Sequence, residues 1–255
     1  MTAILPEDRG FTLGDGLFET VLADRGRLVL WAEHMARLAA GCVALGLPAP
    51  DPDDCEARTR KALAAAGLSD ARAALRLSWS AGPGGRGLDR PDVMQPHLVV
   101  TASPATASGR PVSLATVGLR RNPTSPVARL KTLAYLDNVL ARREARAAGA
   151  DDALMLNTDG HIACAAAANI FWIEADRIFT PALACGVLAG TVRAALMDEL
   201  EIAEVAAPRE ALETAEAVFL TNSLVGVQPV ERIDGRAVLV GHPLVNYLGA
   251  IAAGL

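Results

Sequence analysis

One break, SPATASGRP at residues 103–111, divides this chain, and what lies on either side sets the architecture. The stretch is small, polar and closed by a proline, which suits a linker better than a strand or helix. Before it, RGRLVLW reads as a turn followed by a strand, and WAEHMARLAAGCVALGL carries apolar residues at helical spacing up to a terminal glycine. PDDCEARTRKALAAAGL repeats the helix-then-glycine pattern with acidic residues at its start. ARAALRLSWSAG and MQPHLVVTAS read as adjacent strands joined by GPGGRGLDRPD. After the break, PVSLATVGL reads as a strand and residues 134–149 as an amphipathic helix ending at Gly149. Strands DDALMLN, ANIFWI and RIFTP follow, with the turn NTDGH between the first two. GTVRAALMDEL is a helix, AEAVFLTNS and QPVERIDG are strands, and HPLVNYLGAIAAG closes as a helix. Two α+β lobes with a cleft between them are expected, and such clefts are favoured ligand sites.

The composition is that of an ordinary enzyme. Of 255 residues 51% are hydrophobic but only 4% aromatic, so alanine, leucine and valine must fill the core. A net charge of −5 argues against nucleic acid as a partner. Cys42, Cys55, Cys164 and Cys185 lie far apart, giving no metal spacing and no disulfide framework, which suggests a reducing compartment. No basic-then-apolar leader opens the chain, and the alanine-rich IACAAAANIFWI is shorter than the ~20 residues a spanning helix needs. A cytoplasmic protein with no metal and no membrane contact is expected.

Lysine is almost absent. Of 24 basic residues only Lys61 and Lys131 are lysines. Lys61 sits among charges on a helix, where a solvated face is expected. Lys131 sits inside the apolar run VARLKTLAYL, where an amine offers what arginine lacks: it loses its proton when desolvated and attacks a carbonyl. The bland alternative is a snorkelling side chain at an element's end.

Other segments carry weaker signals. GFTLGDGLFET has two glycines around Asp15, but matches no nucleotide fingerprint and suits a tight turn. His34 and Arg37 are one helical turn apart and share a face, so Arg37 is either solvated or a fork-shaped phosphate partner. LAGTVRAALMDEL opens a helix on Gly190 and Thr191, an arrangement that offers backbone amides to an anion. Thr221, Asn222 and Ser223 form either an anion-binding run or a turn.

In this order, GDGLFET, HMARL, RLKTLAYLDNVLARREA, GADDALMLNTDGHI, ANIFW and TNSLVGVQPV resemble blocks of the class IV aminotransferases, the fold-type IV pyridoxal phosphate enzymes. GPGGRGL, RRNPTSPVARLKTL, CAAAANIFW and TNSLVGVQPV lean toward the family's 4-amino-4-deoxychorismate lyase branch. The resemblance implies a two-domain α+β and α/β architecture, the D-amino acid aminotransferase-like fold, with the cofactor in the interdomain cleft. Residues 1–108 would be the N-terminal α+β domain and 109–255 a C-terminal α/β barrel-like domain. It implies pyridoxal 5'-phosphate as cofactor, a small-molecule substrate and a homodimer. Lys131 would be the Schiff-base and proton-transfer lysine, and Arg37 the phosphate arginine. Thr191 and Val192 would offer amides to the phosphate, and Ser223 a hydroxyl.

The chain departs from the family pattern at three positions. Cys164 stands where a glutamate normally faces the pyridine nitrogen, and a mostly neutral thiol stabilises a protonated ring poorly. Ala81 stands where the lyase pattern has an arginine, which removes one partner for a substrate carboxylate. Relatives vary at Tyr135, which suits either a ring near the cofactor or a core tyrosine. The expected function is conversion of 4-amino-4-deoxychorismate to 4-aminobenzoate and pyruvate, in folate biosynthesis. The alternatives are an aminotransferase of branched-chain or D-amino acids and a pyridoxal phosphate-binding protein of low activity.

Overall fold

GLFETVLAD carries apolar residues on both faces, Leu17, Val21 and Ala23 on one and Phe18 and Leu22 on the other, and forms strand β1 (Gly16–Asp24) inside a four-stranded antiparallel sheet. The computed structural model describes residues 4–84, 87–106 and 109–255; Ala107 and Ser108 of the expected linker, with the boundary drawn at residue 108, and Gly85 and Arg86 of the glycine-rich connection, lie outside them. The chain forms two compact units. One comprises the described residues up to Thr106 together with Leu130–Tyr135; the other comprises those from Gly109 to Arg129 together with Leu136–Leu255. The segment holding Lys131 therefore belongs to the first unit, although it follows the break.

In the first unit the sheet order is β2-β1-β3-β4, with β2 at Arg27–Leu28, β3 at Ala73–Ser80 and β4 at His97–Pro104. Leu17, Val21 and Ala23 of β1 pack with Leu75 and Leu77 against helix α2 (Trp31–Leu45) and helix α3 (Pro52–Ala65) through Met35, Leu38, Cys42 and Leu63. Asp51 caps α3 by accepting from the Asp53 and Asp54 amides, and Pro52 opens it. RGRLVLW is mostly not a strand. Only Arg27 and Leu28 pair with β1; Leu30 then turns left-handed at φ 52° and its carbonyl accepts the His34 N–H, which starts α2 at Trp31. A short helix α1 (Arg9–Leu13) precedes β1 and ends at Gly14, φ 68°.

The N-terminal end of β1 gains a further neighbour from far along the chain. Phe18 N–H donates to the Lys131 carbonyl (2.8 Å), Leu133 N–H donates to Gly16 (2.9 Å), and Thr132 bridges Leu17. Alternation then puts Thr132 on the core side with Leu17, and Lys131 on the opposite side with Phe18.

The second unit is built on a nine-stranded mixed sheet of order β10-β9-β8-β11-β12-β5-β6-β7, with β13 on β12. The strands are β5 (Val112–Arg121), β6 (Asp152–Asn157), β7 (Ile162–Ala165), β8 (Asn169–Glu174), β9 (Arg177–Pro181), β10 (Ile202–Val205), β11 (Ala217–Asn222), β12 (Gly226–Ile233) and β13 (Arg236–Ala237). Its helices are α4 (Pro126–Arg129), α5 (Leu136–Ala147), α6 (Thr191–Glu199) and α7 (Pro243–Gly254). Parallel β5 and β6 require a crossover, which α5 supplies by setting Ala141 and Ala145 on Ala115, Val117, Ala153 and Met155. Leu154, Leu156, Ile170, Trp172, Leu220 and Val230 build the core on the other face. Three strands absent from the sequence reading appear: β7, between the NTDGH turn and β8; β10, which pairs parallel to β9; and the two-residue β13, which pairs with β12. Among the described residues no helix is long and apolar enough to cross a membrane.

Candidate active site

Lys131 is half-buried, and its Nζ lies 4.2 Å above the centre of the Phe18 ring and 5.4 Å from that of Tyr135. Phe18 and Tyr135 meet edge to face at 5.1 Å, so Tyr135 faces the lysine rather than a remote core. Burial, reinforced by the Arg37 and Arg76 charges and opposed by Glu19, brings the Lys131 amine down to about 8. A usable fraction of free amine then exists near neutral pH, as a nucleophile or proton acceptor requires.

Beneath this amine, Glu19 points from β1 into the core side and is 1% exposed. Arg37 donates from Nε (2.9 Å) and Nη2 (2.5 Å) to its two oxygens. Burial would raise the Glu19 carboxyl, but the hydrogen bonds from Arg37 and His34 outweigh it and hold it below the usual range. The carboxylate is therefore ionised and accepts only, so His34 Nδ1 carries the proton it gives to Oε2 (2.7 Å). His34 and Arg37 do share a face of α2, and that face reads a buried carboxylate.

Arg76 lies on the same side of the sheet as Phe18, its guanidinium carbon 3.8 Å from the ring centre. Among the described residues it has no carboxylate within ion-pair reach. Asp15, by contrast, is consumed by structure: Arg9 and Arg90 hold it at 2.8 and 2.5 Å, so within GFTLGDGLFET the turn at Gly14–Asp15, between α1 and β1, is anchored. Lys61 is exposed, as a solvated helix face requires.

In the second unit, α6 opens on Gly190, which has no side chain to cap it. A Cβ at Gly190 would lie 2.0 Å from Asn169 Oδ1, whose amide nitrogen donates to the Leu188 carbonyl (2.9 Å). Thr191 and Val192 form the first turn and are buried. Thr221 pairs in register with Asn169, and its buried hydroxyl has no hydrogen-bond partner among the described residues. Ser223 follows in a turn where Asn222 Oδ1 accepts from the Leu224 and Val225 amides, so the run is partly a turn as well. Cys164 lies on β7 opposite Met155, and burial pushes its thiol up, with Asp152 adding to that and Arg121 opposing it.

The family model for amino-transferase class IV matches residues 16–233 of the chain. The chain belongs to the class IV aminotransferase family. It is 30% identical over 250 residues to aminodeoxychorismate lyase of Vibrio harveyi, covering 93% of this chain and 90% of that protein. The structure of 4-amino-4-deoxychorismate lyase from Pseudomonas aeruginosa matches with TM-score 0.87 at 30% identity, over 98% of this chain and 94% of that one. A hypothetical aminotransferase from Mycobacterium tuberculosis, solved with pyridoxal phosphate bound, matches with TM-score 0.83 at 26% identity, over 100% and 93%.

Class IV aminotransferases are pyridoxal phosphate enzymes, and this chain is one of them. Its residues suit that group. In the second unit the Thr221 hydroxyl, without a hydrogen-bond partner among the described residues, and the start of α6, which has no side-chain cap, could offer donors to a phosphate; in the first unit Lys131 could offer an amine. The one poor fit is Cys164, a neutral thiol where a carboxylate would be expected. Sequence reading gave Glu19 no structural role and passed over Arg76. For Glu19 the signal was present: it falls in phase with Leu17 and Val21, and a charge on a core face needs a partner. Arg76 gave none, since an arginine alternating with Ala74 and Ser78 looks like any solvated strand position.

Proposed function

We propose that this chain is a lyase that converts 4-amino-4-deoxychorismate to 4-aminobenzoate and pyruvate. The observation that carries the reading is the desolvated Lys131 amine set on the Phe18 ring beside Arg76, a cation with no acidic partner among the described residues. A base and a carboxylate-binding group both set against one ring suit a dicarboxylate substrate that must lose a carbon-bound proton. Relatives at 30% identity named as this lyase support it.

When bound, pyridoxal phosphate supplies an aldehyde for the substrate amine and a ring that draws electrons from the adjacent carbon. With it in place, Lys131 Nζ would take the proton from the amine-bearing carbon; the ring C–O bond would break to release enolpyruvate, which takes up a proton as pyruvate, and the product ring would become aromatic. Arg76 binds a substrate carboxylate, taking the part that Ala81 does not fill. Arg37, Thr191, Val192 and Ser223 would hold the cofactor's phosphate, and Cys164 would take the place of the carboxylate that the family resemblance sets beside its ring nitrogen. Aromatisation drives this elimination, so a ring with a weaker electron sink suits it better than transamination. The protein acts in the cytoplasm as a homodimer.

The test is formation of 4-aminobenzoate from 4-amino-4-deoxychorismate by the purified, cofactor-loaded protein. No product at full loading would overturn the reading. The second reading, an aminotransferase of branched-chain or D-amino acids, rests on relatives named as a putative branched-chain-amino-acid aminotransferase and a D-alanine aminotransferase, 29% and 25% identical. It requires keto acids to form from D- or L-amino acids, and a broad panel giving none would remove it.

A further inference from the structure

A carboxylate 1% exposed on the core face of a strand is costly unless its partners are well placed, and an apolar residue there would pack beside Leu17 and Val21 at less cost. Glu19 therefore calls for an explanation beyond stability. Its partners differ in kind. His34 is completely buried and bonds one oxygen at 2.7 Å, whereas Arg37 bonds both oxygens and keeps 17% of its side chain exposed. The carboxylate and imidazole are the fixed members, and the guanidinium is the group that they present.

Phe18, next to Glu19 on β1, donates its N–H to the Lys131 carbonyl (2.8 Å) and sets its ring centre 4.2 Å from Nζ, so the strand that carries the carboxylate also holds the amine. Arg37 and Arg76 disfavour the Lys131 ammonium and Glu19 favours it, while Phe18 and Tyr135 contribute rings. From this geometry we propose that Glu19 is a positioning residue with two separable parts: its shape fixes the plane of Arg37 for an anionic group, and its charge restrains the Lys131 amine from giving up its proton too early. His34 holds Glu19 in the rotamer that does both. The inference rests on reading Arg37 and Lys131 as cofactor-holding residues, and is independent of the reaction that follows.

Two substitutions separate the parts. Glu19→Gln keeps the shape and removes the charge; Glu19→Asp keeps the charge and withdraws it by one methylene. The readouts use the cofactor-free full-length protein. One is the pH dependence of Lys131 acylation followed by mass spectrometry, and the other is the affinity for pyridoxine 5'-phosphate, which carries the phosphate but no aldehyde. E19Q is expected to titrate Lys131 at least about half a pH unit lower than the native protein. E19D is expected to leave that titration in place and bind pyridoxine 5'-phosphate about tenfold more weakly, having lost the two-point fork.

A Lys131 titration unmoved in E19Q, or full affinity in E19D, would overturn the proposal. Should the Glu19 variants not fold, His34→Asn and His34→Leu replace them. The asparagine amide stands near the place of Nδ1 and should keep the affinity, while leucine should lose it several-fold; equal losses would overturn the proposal. A protein that shows these effects but makes no 4-aminobenzoate refutes the lyase reading alone. A native protein that does not bind pyridoxine 5'-phosphate refutes both.

Discussion

Desolvating an ammonium has a cost that depends on pH, and Lys131 makes that cost measurable. Its amine is brought from 10.5 to about 8, by burial first and by Arg37 second. Between those values the unfolded chain binds more protons than the folded one, so stability of the cofactor-free protein rises with pH through that window. Below about 8 the cost is present in full; above about 10.5 it is gone. Lys131→Met should therefore be more stable than the native apoprotein at pH 7, by up to about 3 kcal/mol, less what solvent screens at a half-buried site. The difference should shrink to nothing by about pH 11. Urea unfolding at pH 7 and pH 10 checks it, and a native protein more stable than the variant at pH 7 contradicts the account. Arg76 makes the second claim at this scale. Arg76→Met should raise KM for the carboxylate substrate about tenfold, because a charge-assisted hydrogen bond to a ligand is lost. An unchanged KM would leave Arg76 with no part in binding.

At the level of elements, the start of α6 and the end of β11 carry opposite expectations for one hydroxyl. Thr221→Val removes a buried group that has no partner among the described residues, so the cofactor-free protein should gain about 1 kcal/mol while cofactor affinity falls. Thermal unfolding with and without pyridoxal phosphate separates the two, and a loss in both states would mean that the hydroxyl is purely structural. Most of these elements were legible because their signals are local. Helix α2 stops at Gly46, φ 63°, just where WAEHMARLAAGCVALGL predicts, and the strands β3 and β4 pair as read. What escaped was tertiary or without contrast. All four residues of β7 are buried, so IACA shows no alternation for a strand reading to find. The pairing of Lys131–Leu133 with Gly16–Phe18 joins segments more than a hundred residues apart, and nothing in RLKTL announces an edge partner. The lysine itself was readable from composition and context, but the groups that set its proton affinity, Glu19, Arg37 and Arg76, converge only in the fold.

Across the whole molecule, the near-exclusive use of arginine gives amine chemistry few targets. Lys61 is exposed on α3, whereas Lys131 lies against two rings. Accessibility alone favours Lys61; an amine partly free near neutral pH favours Lys131. Borohydride reduction of the cofactor-loaded protein, followed by peptide mapping, should place the pyridoxyl adduct on Lys131, and Lys131→Met should leave no more than a trace on Lys61. An adduct mainly on Lys61 would mean that surface reactivity governs and that the inner amine is inert. The same loading should register in global stability. A ligand present at a hundred times its Kd adds about 2.7 kcal/mol, and a chain of this length gains about 2–4 °C in Tm per kcal/mol. The native protein should therefore unfold about 5–10 °C higher with saturating pyridoxal phosphate than without it. Gly190→Ala should lose most of that rise, because its methyl group displaces the Asn169 side chain where the helix begins. A full rise in G190A would show that the opening turn of α6 takes no part in holding the cofactor.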